Sequence, residues 1–273
     1  MPISCLPVSL FPEILSKKMT LEEWAAHAKS MGLDGFDISM MFLDNHTPVY
    51  LRTIKEKLEK VGLPVIMACT YPDFVHPDSV QRQRELNYLV HDISVCSELG
   101  VKYLRVLAGQ EHPGLTREEG VRRAVEGLRR ASDAADMFGV QLVYEDHAKP
   151  GAWDYIDFSF PPDIFLEIVD GLRDTSVGVN FDTGNISAAG WETMPVLEAI
   201  FDRIKTIHVS DMRTFGKFDP VMIGTGITPN REIFRYLKAH GFDGWLCIEE
   251  ASGTGLAGVK QAVSNTKKLW EEA

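Results

Sequence analysis

No stretch of the 273 residues approaches the roughly 20 consecutive apolar positions that a membrane-spanning helix requires, so a membrane span is not expected. Basic residues are scarce beside acidic ones. There are 28 Lys and Arg against 39 Asp and Glu, for a formal net charge of −11. Such a surface repels phosphate backbones and anionic bilayers, which argues against nucleic acid or a membrane surface as partner. The four cysteines, Cys5, Cys69, Cys96 and Cys247, form no CxxC pair. A chain of this length needs no disulfide staples, so they read as reduced thiols in a cytoplasmic protein. Residues 1–10 contain Pro2 and Pro7 and lack both a basic segment and a long apolar run, so no signal peptide is expected. There is no low-complexity tract, no linker and no GxGxxG after the first apolar segment.

What the chain has is alternation. Short runs rich in Val, Ile and Leu are followed by longer amphipathic segments, the pattern of parallel strands joined by crossover helices. Strands are expected at 3–9, 35–40, 64–70, 103–108, 140–145, 177–182, 204–209 and 245–249. Helices are expected at 21–31, 48–61, 78–99, 117–138, 162–172, 194–201, 229–240 and 256–270. Thr20 with Glu23, and Thr116 with Glu119, spell capping boxes, and Thr228 before Pro229 reads as a cap. Gly32, Gly62, Gly100, Gly139 and Gly241 fall where helices should close. Eight evenly spaced units favour closure into a single-domain (β/α)8 TIM barrel over residues 1–273, rather than an open doubly wound sheet.

In such a barrel chemistry belongs at the C-terminal strand ends. The fifth strand ends at Glu145, the sixth at Asp182 and the eighth at Glu249, while the seventh carries His208 near its end. Because side chains alternate across a strand, parity tests whether these four converge. In each strand an aliphatic-rich face (Leu142 and Tyr144; Val179 and Phe181; Ile207 and Val209; Leu246 and Ile248) opposes the face bearing the candidate ligand. The same parity selects Glu249 over Glu250. Two glutamates, an aspartate and a histidine make an oxygen–nitrogen set suited to one divalent ion, Mn²⁺, Mg²⁺, Co²⁺ or Zn²⁺.

The strings YEDH (144–147), NFDTGN (180–185), IHVSDMR (207–213), IGTG (223–226) and GFDGWLCIEE (241–250) resemble the sugar phosphate isomerase/epimerase group of the xylose isomerase-like TIM barrel superfamily. The resemblance covers nearly the whole chain. It implies a metal, often Mn²⁺, held by Glu145, Asp182, His208 and Glu249, with Glu145 and Glu249 doubling as the acid–base pair on a small sugar, keto-sugar or sugar phosphate. The chain departs from that pattern at Asn185, where the epimerases carry a histidine three residues after the aspartate. It departs also at Arg213, five rather than six residues after the histidine, and in IGTG, where they carry PGxG.

Arg105, His147, Lys149, Asn185 and Arg213 are the candidate substrate contacts. Arg105, inside an apolar run, must meet an anion or several acceptors, whether substrate or a ligand carboxylate. His147 and Lys149 could protonate a leaving hydroxyl, which would make the enzyme a dehydratase rather than an isomerase or epimerase; both could equally be loop residues making surface hydrogen bonds. Asp73 and His76 are weaker candidates, and Asp37, near the end of the second strand, could reach the site but reads more readily as a cap. The glycine-containing loops 224–226 and 252–255 are possible anion cradles or helix caps, and Trp153, Trp191, Phe158 and Phe160 could stack on a sugar or cover the barrel mouth. A non-catalytic sugar- or metal-binding barrel and an apurinic-site endonuclease are the competing readings; the latter is disfavoured by Asn185 and the acidic charge. A homo-oligomer is compatible with the sequence.

Overall fold

Eight short strands alternate with helices in a computed structural model that describes residues 1–273. The strands are β1 (Ile3–Leu6), β2 (Phe36–Ser39), β3 (Val65–Cys69), β4 (Tyr103–Val106), β5 (Gln141–Glu145), β6 (Gly178–Asp182), β7 (Ile204–Val209) and β8 (Trp245–Glu249). The helices are α1 (Phe11–Leu15), α2 (Leu21–Ser30), α3 (Pro48–Val61), α4 (Ser79–Leu99), α5 (Arg117–Phe138), α6 (Pro162–Gly171), α7 (Asn185–Ala188), α8 (Thr193–Ile200), α9 (Asn230–Ala239) and α10 (Gly255–Glu272). No helix is long and apolar enough to cross a membrane.

All strand pairs are parallel, in the order β1-β8-β7-β6-β5-β4-β3-β2, so the sheet curls into a nearly closed (β/α)8 TIM barrel. The one seam without a ladder lies between β1 and β2. It is bridged by Asp34 N–H donating to the Ile3 carbonyl at 2.9 Å and by the Ser4 hydroxyl donating to Asp37 at 2.7 Å. Asp37 also accepts from Met67 N–H at 3.1 Å, so it is a seam fastener rather than a helix cap or a mouth residue. Burial, opposed mainly by the Ser4 hydrogen bond, pushes its carboxyl up to about 6.

Two apolar layers follow from strand parity. Leu142, Tyr144, Val179, Phe181, Ile207, Val209, Leu246 and Ile248 pack outward against the helices. Val143 and Cys247 join Leu6, Met67, Cys69 and Tyr103 inside the barrel, below the mouth. The expected faces are therefore the observed ones, and this fixes which polar side chains can converge above the inner layer.

Local signals hold at most helix ends. Thr20 and Glu23 form both halves of a capping box, whereas Thr116 caps Glu119 N–H and the Glu119 carboxylate turns instead to Arg123. Gly62, Gly100 and Gly139 close their helices at φ of 69°, 74° and 68°. Thr228 is a correction. Its hydroxyl accepts from Met212 N–H at 3.2 Å, and α9 starts two residues later without a side-chain cap. The expected first strand is cut short because Val8–Leu10 turns into a 3-10 segment leading to α1.

Candidate metal centre

Register brings the four strand-end residues to one level. Glu145 on β5 pairs with Asn180 on β6, Asp182 on β6 with His208 on β7, and His208 with Cys247 on β8, two residues before Glu249. One ligand atom from each of Glu145, Asp182, His208 and Glu249 lies within 4.8 Å of the others. Three of them are fully buried; Glu249 alone keeps 18% side-chain exposure, at the edge facing solvent.

The donor set fits a divalent cation on its own chemistry. Three carboxylates packed out of water need compensating charge, and the protein supplies only part of it. His208 Nδ1 meets Glu145 and lies 3.0 Å from Glu249. Arg105 Nε lies 3.1 Å from the second Glu145 oxygen. His208 Nε2 is buried with no hydrogen-bond partner. A cation in this space would meet preassembled oxygen and nitrogen donors.

The charges pull the four groups apart. Burial alone would raise the Glu145 and Glu249 carboxyls, but His208, with Arg105 adding to its effect, outweighs it. Glu145 is lowered and Glu249 is brought to about 2. Asp182 lacks such a partner, and burial followed by repulsion from Glu249 and Glu145 pushes it up to about 8. Burial works against a charged His208, yet the two glutamates hold its pKa well above the ordinary histidine range.

A second layer aims the ligands. Asn180 donates to Glu145 Oε1 at 2.7 Å and accepts the Thr206 hydroxyl at 2.7 Å. Asp182 Oδ1 accepts from Gly184 N–H at 2.8 Å, Asn185 N–H at 2.9 Å and the Ser210 hydroxyl at 2.7 Å. That turn starts α7, which strand–helix periodicity cannot reveal. Asp146 Oδ1 accepts from Asp182 N–H at 2.8 Å, and its backbone carbonyl accepts from Asn185 at 2.9 Å. Asn180, Asp146 and Ser210 were missed as supporting residues. Asn180 shares Asp182's parity and could have been found by extending the parity rule one layer down.

Beside the cluster opens a small cleft of about 30 Å³, lined by His147, Asp182, Asn185, Ser210, Asp211 and Glu249 on the polar side. Met212, Phe218, Pro220 and Val221 form its apolar wall. His147 is buried there with Nδ1 unpartnered, and burial lowers it to about 4, leaving the ring neutral. Glu145 sits behind this opening, not on its wall.

The remaining candidates fall elsewhere. Arg105 is spent on Glu145, on the Thr70 carbonyl at 3.1 Å and on the face of Tyr71. Lys149 is exposed and donates to the Asp154 carbonyl at 3.0 Å within its own loop. Arg213 is also exposed, 3.4 Å from Asp219, and its side chain is not among those lining the cleft. Neither long cation lines the cleft. Glu250 faces away, as parity requires, and accepts from Ser252 N–H at 2.9 Å. Asp73 binds His112 at 2.7 Å, with His76 edge-on to that ring. Thr254 makes no cap, its hydroxyl meeting Ser252 at 2.6 Å. Trp153 is buried and donates to the Tyr71 carbonyl at 3.3 Å, Phe158 is buried with its ring against Gly120 of α5, and Trp191 is exposed.

A model of the xylose isomerase-like TIM barrel family matches residues 25–272. An inosose dehydratase of Bacillus licheniformis is 25% identical over 214 residues, which span 72% of this chain and 64% of that protein. A putative hydroxypyruvate isomerase of Streptomyces coelicolor is 27% identical over 255 residues, 88% of each chain. Among solved structures, a D-tagatose 3-epimerase-like protein superposes with a TM-score of 0.77 at 18% identity, covering 100% of this chain and 97% of the other. The IOLI protein with a bound zinc atom gives 0.77 at 19% identity, covering 98% and 96%. At these identities the structures establish the shared fold.

Proposed function

The chain belongs to the xylose isomerase-like TIM barrel family, and from that premise we propose that it is a metal-dependent isomerase or epimerase of a small sugar or keto-sugar. The observation that carries the reading is the convergence of Glu145, Asp182, His208 and Glu249 within 4.8 Å beside an open cleft. These four residues would hold one divalent ion, Mn²⁺ being the first choice for a site rich in carboxylates. The ion supplies Lewis-acid polarisation of a carbonyl oxygen and stabilises the negative charge that develops on it.

The chain's own groups handle the proton. Glu249 lines the cleft and is held ionised, so its carboxylate can take the proton from the carbon next to the carbonyl; the C–H electron pair moves into the carbonyl group. Return of that proton by Glu249 to the neighbouring carbon moves the carbonyl; inversion needs a proton on the opposite face, for which Glu145, ionised at the start, is the candidate once it has taken one from a substrate hydroxyl or from solvent. General acid–base help of this kind contributes about 10²–10⁴-fold. Arg105 and Asn180 fix the Glu145 carboxylate.

The test is deuterium exchange into a keto-sugar panel in D2O with Mn²⁺ present. The wild-type protein is expected to label the carbon beside the carbonyl, and Glu249→Gln and Glu145→Gln to lower the rate by about 10²–10⁴-fold. Near-normal exchange in either variant removes that residue from the chemistry.

A second reading has its own observation. His147 lies on the cleft wall, neutral and with a free ring nitrogen, where it could accept the proton taken by Glu249 and pass it to a departing β-hydroxyl, which leaves as water. The reaction would then be a dehydration, as the similarity to an inosose dehydratase suggests. Loss of 18 mass units from the product separates the two readings.

A further inference from the structure

The loop after β7 carries a feature the proposed chemistry does not use. In Gly224-Thr225-Gly226-Ile227-Thr228, three backbone N–H groups converge on one point, the arrangement with which barrel loops often cradle a phosphate. Here that point is filled from within. The Asp211 carboxylate accepts from Gly224 N–H at 2.9 Å, from Gly226 N–H at 2.9 Å and from Thr228 N–H at 3.0 Å. The fit is tight: a Cβ built on Gly226 would come within 2.3 Å of the Asp211 carboxylate. Asp211 is 2% exposed and is itself part of the cleft wall.

The rest of the cleft offers an anion no replacement. Its lining includes Asp182, Glu249 and Asp211 and contains no Lys or Arg. Arg105 is committed to Glu145, and Lys149 and Arg213 point to solvent. In the second glycine-containing loop Glu250 accepts from Ser252 N–H at 2.9 Å and Gly253 N–H is taken by the Ser9 hydroxyl at 2.8 Å; α10 starts there without a side-chain cap, but none of residues 252–255 lines the cleft. A phosphate brought into this cleft would lose its hydration beside carboxylates and gain no cation from the protein, an unfavourable exchange.

We infer that Asp211 is a specificity-determining residue that occupies the anion position of the β7 loop, so that the substrate is an uncharged, unphosphorylated polyhydroxy ketone. Its polar edge faces Asp182, His147 and Glu249, and its C–H face lies against Met212, Phe218 and Val221. This rests on the sugar-site reading above and narrows its substrate.

The experiment compares binding, by competition calorimetry on the Mn²⁺-loaded protein, of D-tagatose and D-fructose with their 6-phosphates, and of hydroxypyruvate as a carboxylate probe. The free sugars are expected to bind at least tenfold more tightly than the esters or the acid. Equal or tighter binding of an ester or of hydroxypyruvate overturns the inference while leaving a sugar site intact. Binding of none of them overturns the underlying sugar-site reading and this inference with it. Asp211→Ala frees the three N–H groups and is expected to bring a measurable gain in inorganic phosphate binding over wild type; a folded variant showing none overturns the role given to Asp211. Should that variant not fold, Val221→Arg, which places a cation on the same wall, is expected to narrow the sugar-to-ester ratio by at least tenfold, and an unchanged ratio counts against the inference.

Discussion

Arg105 Nε lies 3.1 Å from Glu145 Oε2, and both side chains are shut away from solvent inside the barrel. A buried guanidinium on a strand that contributes no candidate ligand is therefore part of the candidate metal centre: it neutralises and aims the carboxylate that a cation would share.

Removing that partner should expose the dependence. Arg105→Met leaves Glu145 buried with only His208 to offset it, and breaking a buried pair on one side costs about 3–5 kcal/mol. Denaturant unfolding without divalent ions is expected to show a loss of that size. Saturating Mn²⁺ should recover part of it, because the cation replaces the missing positive charge. A variant as stable as wild type without metal would mean that Glu145 is not held ionised by Arg105.

Asn180 offers a gentler probe of the same carboxylate. Its amide bridges Glu145 and Thr206 with 2.7 Å hydrogen bonds on both sides. Asn180→Leu keeps the volume and removes the bridge. Loss of such an orienting group typically lowers metal affinity by about 10–100-fold. Calorimetric titration with Mn²⁺ is the readout; an unaltered affinity would show that strand geometry alone positions Glu145.

What the sequence shows and what it hides divide along the strands. Glu145, Asp182, His208 and Glu249 are legible because a strand obeys a strict two-residue period, so one apolar face dictates where the other points. Arg105 is legible as an anomaly, a charge inside an apolar run. Lys149 and Arg213 are not, because each sits in a loop whose direction is set by hydrogen bonds made only in the folded chain. Lys149 is drawn to the Asp154 carbonyl, and the Arg213 backbone N–H to the Asp219 carbonyl at 2.9 Å. Asp211 is hidden for the same reason: the three amides it binds lie 13 to 17 residues further on.

Those two loop cations give the converse prediction. Lys149→Ala and Arg213→Ala remove exposed side chains that line neither the cluster nor the cleft. Turnover, once a substrate is in hand, should stay within about twofold of wild type, since surface ion pairs and hydrogen bonds contribute about 0–1 kcal/mol. His147→Ala is expected to change kcat far more. If Arg213→Ala instead raised KM sharply, its loop would have to fold over the bound substrate.

Barrel closure carries its own pH signature. Asp37 fastens the β1–β2 seam, and burial raises its carboxyl from 3.8 to about 6. A raised folded-state pKa means that the protonated form is the one favoured by folding. Its contribution is fully present below 3.8 and is lost as pH climbs through about 6. A shift of roughly two units corresponds to about 3 kcal/mol. Asp37→Asn cannot ionise, so it escapes this loss. Its stability relative to wild type is expected to improve by up to about 3 kcal/mol between about pH 4 and pH 6, followed by denaturant unfolding across that range. Parallel stability curves for the two proteins would show that the Asp37 carboxyl titrates alike in the folded and unfolded chain, and that its two hydrogen bonds cancel the cost of burying it.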